Sequence, residues 1–466
     1  MRTLFVRLAV LAAGMLALLA AACGGSGGGG DGEKPQASAC PSGLVEKETS
    51  PVGITFWFAE VAANQETLVR MVNEFNASQG KIKVTPVFQG SYDDSTTKYL
   101  AALRSGDLPD IAQVVDFETQ RVIDSKSVVR VQDCIDAEEY DLSDHLPRVV
   151  AYWSIGDALW SYPFTAASIT LYYNMKAFEK AGLDPARPPT TLAEVREYSQ
   201  RIVDAGAARQ GIAIETHSWS IENWLAKADQ AIVNNDNGRT GRATETVFDS
   251  DAGRELFTWI DAMVHDGLAV NVGRNPSGAD TLLAIGSGDA AMTLGSSAAM
   301  RSVYGILESG QYPDVKVGVA PMPGIRAGGQ TLVGGASLFI VSKSSPVKQE
   351  AARIFARWLN EPAQQAEWHI GSGYIPVRRS AAESQAVQDF WAANPQFKVA
   401  YDELAQEDVT VATSGAVIGP FIEVRKAVVE GMEAMLLQGA DPARALQDAA
   451  SKADEAISSY NQRIGE

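Results

Sequence analysis

The residue types that perform most enzyme chemistry are present in this sequence, but they do not form a catalytic pattern. The chain lacks the HExxH and GxSxG motifs, and its Gly80-Lys81 pair has no glycine five residues earlier, as a phosphate-binding loop requires. Adjacent acids such as Asp93 and Asp94 are usually solvated charges in an acidic protein. The four histidines are scattered without the spacing of metal ligands or of a nucleophile and its base: His145, His217, His265 and His369. We therefore predict a protein that is not an enzyme and holds no metal or cofactor.

Aromatic side chains could instead serve the binding of a sugar, because flat rings bury the apolar CH faces of sugars. Six residues are candidates for such platforms: Trp57, Phe58, Phe117, Trp219, Trp224 and Tyr304. Rings of this size are more often part of a core than of a cleft. We retain Trp57 and Trp224 as candidate ligand-binding residues.

The charge balance limits the partners of the chain. There are 39 Lys and Arg residues against 57 Asp and Glu, a net charge of −18 over 466 residues. Such a balance disfavours attraction to nucleic-acid phosphates or to anionic membrane surfaces. After the N-terminal segment there is no run of 18 or more apolar residues, so the body of the chain is predicted to contain no membrane-spanning helix. The length favours two domains.

The first 39 residues have the pattern of an export segment. Arg2 and Arg7 precede an apolar run over residues 8–22, which is the order of a secretory signal peptide. The run ends in small residues before Cys23 and resembles the lipobox of bacterial lipoproteins; ordinary cleavage after Ala22 is the alternative. We predict a signal peptide over residues 1–22, then a lipidated Cys23 and a flexible tether over residues 23–39. The protein is thus expected outside the cytoplasm, touching the membrane only through its lipid.

Two further cysteines, Cys40 and Cys134, remain after the tether. In an oxidising compartment an even pair favours a disulfide over two free thiols. Two thiols are too few for a four-ligand structural zinc site. We predict a disulfide between them.

Strand and helix patterns alternate along the body of the chain. The residues at 54–58, 82–87 and 110–115 read as strands, and apolar residues at helical spacing lie between them. A second unit begins after Tyr162-Pro163. Its predicted strands lie at 169–173, 290–294, 315–319 and 336–341, and further helices are predicted at 175–181, 192–203, from 346, at 423–437 and at 442–464. This alternation indicates parallel α/β layers.

Several segments resemble the extracellular solute-binding proteins of ABC importers in order and spacing. They lie at residues 57–76, 163–189 (PFTAASITLYYNMKAFEKAGLDPARPP), 288–293 (GDAAMT), 334–337 (GGAS) and 366–376 (AEWHIGSGYIP). The sequence is most similar to the branch that binds glycerol-3-phosphate and glycerophosphodiesters. The resemblance implies a periplasmic-binding-protein-like α/β fold, in which two lobes close about a hinge on a small-molecule ligand. It also implies that an ABC permease is the partner.

The resemblance places the lobes along the chain. Lobe 1 is expected to comprise residues 40–163 and 315–360, and lobe 2 residues 164–314 and 361–466. The chain would then cross between the lobes near residues 163–165, near 315 and near 356–362. We expect a monomer.

Carried over position by position, the family's ligand contacts fall on Tyr92, Asp116, Ser297, Gly334, Tyr374 and Arg425. The resemblance implies that Arg425 anchors a phosphate as a planar fork of donors. Gly334 would let a backbone amide approach the ligand, and Asp116 would replace a glutamate that binds hydroxyls. Each residue has a structural alternative: pairing of Arg425 with Glu423 or Glu430, packing of Tyr92 and Tyr374 at a lobe edge, helix capping by Ser297, a turn at Gly334, and a solvated Asp116.

Two departures from the branch affect the ligand. Ala166 and Ala167 stand where the branch has serines, so one hydroxyl contact is expected to be missing. Lys227 stands where the branch has a ligand-facing tryptophan, which weakens the case for stacking or for a cation–π contact. Lys227 could add a second cation for phosphate or point into solvent.

The resulting prediction is a binding lipoprotein of an ABC importer for glycerol-3-phosphate or a glycerophosphodiester such as glycerophosphocholine. The alternative is a mono- or oligosaccharide in the same cleft. A secreted hydrolase or a surface adhesin is the competing class, but a hydrolase needs a nucleophile or base that the scattered histidines do not supply.

Overall fold

The computed structural model of the protein describes residues 40–275 and 278–465. The predicted signal peptide, the lipidation site Cys23 and the tether lie outside the described residues. Within those residues, no helix combines the length and the apolar character needed to cross a bilayer. The disulfide predicted between Cys40 and Cys134 is present, with the two Cα atoms 4.9 Å apart.

The first sheet of the described chain has five strands. In spatial order they are β2 (Ile82–Phe88), β1 (Val52–Phe58), β3 (Ile111–Val115), β10 (Gly334–Ile340) and β4 (Tyr162–Ala167). The strands β2, β1 and β3 are parallel, whereas β10 runs antiparallel to both β3 and β4. Every residue of β3 is buried, as expected for a central strand covered on both faces.

The second sheet of the described chain has the same number of strands. In spatial order they are β7 (Ala269–Gly273), β6 (Gln210–Glu215), β8 (Ala290–Ser296), β5 (Ile169–Asn174) and β9 (Val317–Pro321). Here β6 is parallel to β7 and β8, and β5 is antiparallel to β8 and β9. Two separate α/β layers therefore form, as the fold prediction requires.

Helices flank both sheets, and several of these helices begin at a capping residue. Ser91 and Asp94 form a capping box at the start of α2, and Thr191 and Glu194 form another at the start of α7. In the first half of the chain the helices are α1 (Ala62–Ser78), α2 (Tyr92–Ser105), α3 (Thr119–Asp124), α4 (Gln132–Ala137), α5 (Pro147–Trp153), α6 (Met175–Lys180), α7 (Leu192–Asp204), α8 (Ser218–Lys227) and the left-handed turn α9 (Asn234–Gly238). The remaining helices are α10 (Asp251–His265), α11 (Ala279–Ser287), α12 (Met300–Leu307), α13 (Pro346–Leu359), α14 (Pro362–Ser372), α15 (Arg379–Ala382), α16 (Gln385–Ala393), α17 (Lys398–Leu404), α18 (Phe421–Gln438) and α19 (Pro442–Ile464).

Each sheet has its own apolar core. Around the first sheet, the Phe355 ring on α13 lies 5.5 Å from that of Phe56 and 5.0 Å from that of Phe75. Around the second sheet, Trp224 and Met432 are buried in a cluster that also contains the apolar residues of α19. The two cores give the molecule two lobes.

Within the residues that the structure describes, the chain passes between the lobes at three places. Ser168 alone separates β4 from β5, residues 322–333 join β9 to β10, and residues 405–420 lead from α17 to α18. These crossings differ from the predicted boundaries. Val317–Pro321, assigned by sequence to lobe 1, hydrogen-bonds to β5 in the second sheet, and Trp368 and Leu404, assigned to lobe 2, lie in the core of the first sheet. These boundaries are determined by strand pairing and helix packing between segments that are distant in the sequence. A local sequence pattern contains no information about such contacts.

Candidate functional site

The site is built at one edge of the first sheet. The parallel strands β1, β2 and β3 end there, and they are followed by Glu60, Tyr92 and Asp116, respectively. Gly334 lies at the same edge, because β10 runs in the opposite direction and starts where β3 ends. In open α/β sheets, ligands bind beyond the carboxyl ends of the strands.

Two of the predicted tyrosines contact each other. The Tyr92 hydroxyl lies 3.0 Å from the Tyr374 hydroxyl and donates to Glu60 Oε1, also at 3.0 Å. Tyr92 is the first residue of α2, and Tyr374 follows Gly373, whose left-handed backbone ends α14. The Trp368 ring stacks on that of Tyr374 at 5.4 Å. Burial raises the pKa of both phenols well above the ordinary value, so both keep their protons at neutral pH.

Glu60 is a site residue that the sequence reasoning missed. Its exposure is only 3%, and its Oε1 accepts hydrogen bonds from Tyr92 and from Gln113 Nε2 at 2.7 Å. Burial raises the pKa of this carboxyl, and hydrogen bonds with Gln113, Tyr92, Asn64 and Tyr374 oppose the rise. The available sequence signal for Glu60 was an acidic residue two positions after a predicted strand. Nothing in the local sequence distinguishes such a residue from a solvated acid at a strand end.

Arg425 enters from the other lobe. It lies on α18 and forms a two-pronged ion pair with Glu222 of α8, with Nε–Oε1 and Nη2–Oε2 distances of 2.8 and 2.7 Å. The pairing leaves Nη1 outside the fork. The guanidinium carbon lies 4.2 Å from the ring centre of Phe117, which follows β3 in the first lobe. Burial alone would lower the pKa of Arg425, but Glu222 and Asp116 raise it, so the residue is a permanent cation. The predicted alternative partners, Glu423 and Glu430, form ion pairs with other residues.

Asp116 completes the contact between the lobes. Its Oδ2 accepts a hydrogen bond from the Tyr152 hydroxyl at 2.9 Å, and its carboxyl interacts electrostatically with Arg425. Burial raises the pKa of Asp116, while Arg425 and Tyr152 lower it. Asp116 is therefore a half-buried acceptor that Tyr152 engages, in contrast to the solvated strand-end acid considered as its alternative.

Gly334 and Ser297 lie where the lobes meet. A Cβ atom added to Gly334 would stand 2.7 Å from Cζ2 of Trp219, which belongs to α8 in the second lobe. Ser297 is fully buried beside the first crossing, and its Oγ accepts from the Ser168 backbone N–H at 3.2 Å. The hydrogen bond that caps the turn after β8 is made by Ser296 instead of Ser297. Because the Ser297 hydroxyl is the acceptor in its bond to Ser168, that bond does not use the hydroxyl proton.

Three candidate residues lie elsewhere. Trp224 is 2% exposed in the core of the second lobe, where its indole N–H donates to the Pro323 carbonyl at 3.0 Å. Trp57 packs in a smaller cluster beside the first sheet. The Lys227 ammonium donates to the Gly329 carbonyl at 3.0 Å and lies 3.8 Å from Glu403, with the side chain 6% exposed. Lys227 thus lies against the second chain crossing, and its ammonium does not point into solvent.

The charges of the site are unbalanced. Two buried carboxylates, those of Glu60 and Glu222, and the half-buried carboxylate of Asp116 lie in the same region as the guanidinium of Arg425. Among the described residues there is no group of three or more His, Cys, Asp or Glu side chains placed to hold a metal ion. What the site offers a ligand is therefore hydroxyl and carboxylate acceptors, with one guanidinium beside the carboxylates of Asp116 and Glu222.

Two α/β lobes that bury a polar cluster between them define a protein that holds a solute. The sequence matches bacterial extracellular solute-binding proteins over residues 70–399, and the chain belongs to this family. It is a solute-binding protein of an ABC importer and acts outside the cytoplasm.

Curated relatives cover nearly the whole chain. The sn-glycerol-3-phosphate-binding periplasmic protein UgpB of Brucella abortus is 30% identical over 411 residues, which is 87% of this chain and 93% of the relative. The protein of the same name from Yersinia pestis is 29% identical over 418 residues, with coverages of 88% and 93%.

Solved structures share the periplasmic-binding-protein-like fold. A cyclic α-maltosyl-1,6-maltose binding protein from Arthrobacter globiformis has a TM-score of 0.72 at 22% identity, covering 88% of this chain and 100% of that one. UgpB from Mycobacterium tuberculosis, in complex with glycerophosphocholine, has a TM-score of 0.70 at 20% identity, with coverages of 90% and 100%.

Proposed function

We propose that this protein captures a glycerol-3-phosphate or a glycerophosphodiester, such as glycerophosphocholine, and delivers it unaltered to its ABC permease. One observation carries the proposal. Tyr92, Tyr374 and Asp116 of the first lobe and Arg425 of the second gather in one polar cluster, in which Tyr374 is buried and the others are half-buried. The names of the curated relatives support the same ligand class.

The charge inventory favours a diester within this class. A phosphodiester carries one negative charge and a monoester nearly two, whereas the site supplies one guanidinium that Glu222 already engages. Glu60 and Asp116 add negative charge within the same buried region, where electrostatic interactions are stronger than in water. A ligand with one phosphate charge and a cationic or neutral head group therefore suits the site better than a dianion.

We also propose a monomer held at the membrane by lipid on Cys23. The small residues before Cys23 and the glycine-rich segment after it support an anchor and a tether. Fractionation of cells that express the full chain tests the anchor. We expect the protein in the membrane fraction and the Cys23→Ser variant in the soluble or secreted fraction; a soluble wild type would contradict the anchor.

A sugar is the second candidate ligand. The carboxylates of the buried Glu60 and the half-buried Asp116 are suitable acceptors for sugar hydroxyls, and the half-buried Trp219 ring beside Gly334 offers a stacking face. A structure with a similar fold is that of a cyclic maltosyl-maltose binding protein.

Titration calorimetry separates the candidates. The panel contains glycerophosphocholine, glycerol-3-phosphate, maltose and glucose, and recovered ligand is checked for integrity. We expect glycerophosphocholine to bind most tightly and Arg425→Ala to weaken it at least about tenfold, because charge-assisted hydrogen bonds contribute about 1.5–3 kcal/mol.

Arg274→Ala is the matched control. Arg274 also forms a two-pronged ion pair with α18, through Glu433, but it is exposed and away from the site. Its loss should leave the affinity unchanged. Arg425→Lys, which keeps the charge without the fork, covers the case in which the alanine variant does not fold. Unchanged affinity for glycerophosphates in both Arg425 variants would refute Arg425 as the phosphate anchor, and tight binding of a sugar alone would establish the second candidate.

A further inference from the structure

Glu60 lies at the end of a chain of hydrogen bonds whose directions the structure determines. The chain begins at the Ala59 backbone N–H, which donates to Gln113 Oε1 at 3.0 Å. A backbone N–H is only a donor, so the Gln113 amide oxygen must face it and the Gln113 amide nitrogen must face Glu60. That nitrogen lies 2.7 Å from Glu60 Oε1 and can only donate. Glu60 Oε1 is therefore an acceptor.

The same oxygen determines the direction of the phenol protons. The Tyr92 hydroxyl donates its one proton to Glu60 Oε1, and its own oxygen lies 3.0 Å from the Tyr374 hydroxyl. Since Tyr92 has no second proton, Tyr374 supplies the proton of the contact between the two phenols. Both phenol protons are then held within the group of Glu60, Tyr92 and Tyr374. The phenol oxygens keep lone pairs, which can only accept.

We infer that Glu60 is a positioning residue that makes Tyr92 and Tyr374 acceptors, so that this end of the site recognises ligand hydroxyls and excludes phosphate oxygens. The inference rests on the proposed function and deepens it. A phosphate oxygen carries no proton to give to the phenols, and it finds donors at Arg425 instead. The glycerol hydroxyls of a glycerophosphodiester would thus lie at the tyrosines, with the phosphate toward α18.

Two substitutions of Glu60 separate this role from a general effect on folding. Glu60→Met keeps the length of the side chain but removes the acceptor and frees the Tyr92 proton. Glu60→Gln is its control, because the amide oxygen can still accept from Tyr92 and Gln113. Thermal unfolding of both variants measures any loss of stability.

Calorimetry with two ligands tests the positioning role of Glu60 directly. Glycerophosphocholine carries the glycerol hydroxyls, and phosphocholine lacks them. We expect Glu60→Met to weaken glycerophosphocholine about tenfold or more and Glu60→Gln about threefold or less, since an unmade buried hydrogen bond costs about 1–3 kcal/mol. Phosphocholine should bind Glu60→Met at least as tightly as it binds the wild type, because the substitution removes a negative charge and frees a phenol proton. An equal loss for both ligands would overturn the inference.

A double-mutant cycle tests whether Glu60 acts through Tyr92. In a Tyr92→Phe background, Glu60→Met should weaken glycerophosphocholine by no more than about twofold. The same tenfold loss in both backgrounds would mean that Glu60 does not act through that phenol.

If the wild type bound neither phosphate compound, that outcome would refute only the proposed function. The inference about Glu60 would then be tested by a measurement that needs no ligand. The Raman tyrosine doublet distinguishes a phenol that donates from one that accepts. The difference spectrum of wild type minus Tyr92→Phe should be that of a phenol that both donates and accepts, and the donor contribution should be lost in Glu60→Met. The spectrum of a phenol that only accepts, in the wild type, would overturn the inference.

Discussion

Gly334 offers a direct way to hold the two lobes apart. It is the first residue of β10 in the first lobe, and the space where its Cβ would stand is bordered by the Trp219 ring of the second lobe. In Gly334→Ala, the added methyl carbon would lie 2.7 Å from Trp219 Cζ2. Ordinary contacts between carbon atoms are about 3.5–4.0 Å, so the overlap is about 1 Å.

The expected effect follows from where the strain can be relieved. Overpacking of a filled space typically costs about 1–3 kcal/mol. Separation of the lobes at this contact relieves the strain without disturbing either core, so the penalty falls on closure and therefore on ligand affinity. We expect the affinity for glycerophosphocholine to fall about 5- to 150-fold. The midpoint of thermal unfolding without ligand should change little.

The assay combines calorimetry with solution scattering, and the chain provides a matched control. Gly305 lies within α12, and nothing lies within 4 Å of the position of its Cβ, so Gly305→Ala should leave both affinity and scattering unchanged. In a Trp219→Ala background, Gly334→Ala should have less than about a twofold effect. The reasoning would be refuted if Gly334→Ala bound ligand like the wild type, or if its loss of affinity persisted without the Trp219 ring.

The remaining predictions concern buried charges at the contacts between the lobes. Glu118 is fully buried beside Arg121, and burial, with Glu423 adding to it, raises its pKa from 4.5 to about 7. Because the folded state then binds its proton more tightly than the unfolded state, Glu118 should reduce stability as pH rises from about 4.5 to 7. Melting temperatures of Glu118→Gln should therefore fall less over this range than those of the wild type; parallel pH profiles would contradict this. Lys227→Met should remove an ion-pair partner of the buried Glu403 and lower the free energy of unfolding by about 3 kcal/mol, while changing ligand affinity by less than about threefold. Denaturant unfolding and calorimetry measure the two effects, and a large loss of affinity with unchanged stability would make Lys227 a ligand contact.

Local patterns in the sequence were sufficient for most of the secondary structure. The run predicted at 54–58 lies within β1, and the helix predicted at 442–464 coincides with α19. Both depend on alternation, helical spacing and capping residues, which act over a few positions. The disulfide also followed from local information, because only two cysteines remained to pair.

The lobe boundaries and part of the site depended on contacts between distant segments. The sequence pattern of residues 317–321 predicts a strand but not the sheet to which that strand belongs. Pairing with β5 determines that it belongs to the second sheet. Glu60 becomes a site residue because Tyr92, Gln113 and Tyr374 surround it, and these lie 32, 53 and 314 positions further along the chain. Lys227 has a long side chain whose direction is determined by Gly329 and Glu403, so its sequence position alone did not reveal that it lies at a crossing.

The most direct test of a solute-binding clamp is a comparison of small-angle scattering from the wild-type protein with and without saturating glycerophosphocholine. The described structure has the lobes in contact through Arg425 and Phe117 and through Trp219 and Gly334. We predict a smaller radius of gyration with ligand, a profile of the liganded protein that fits this structure, and complete recovery of intact ligand. A radius that stays the same with every solute shown to bind would contradict closure of the lobes around a ligand.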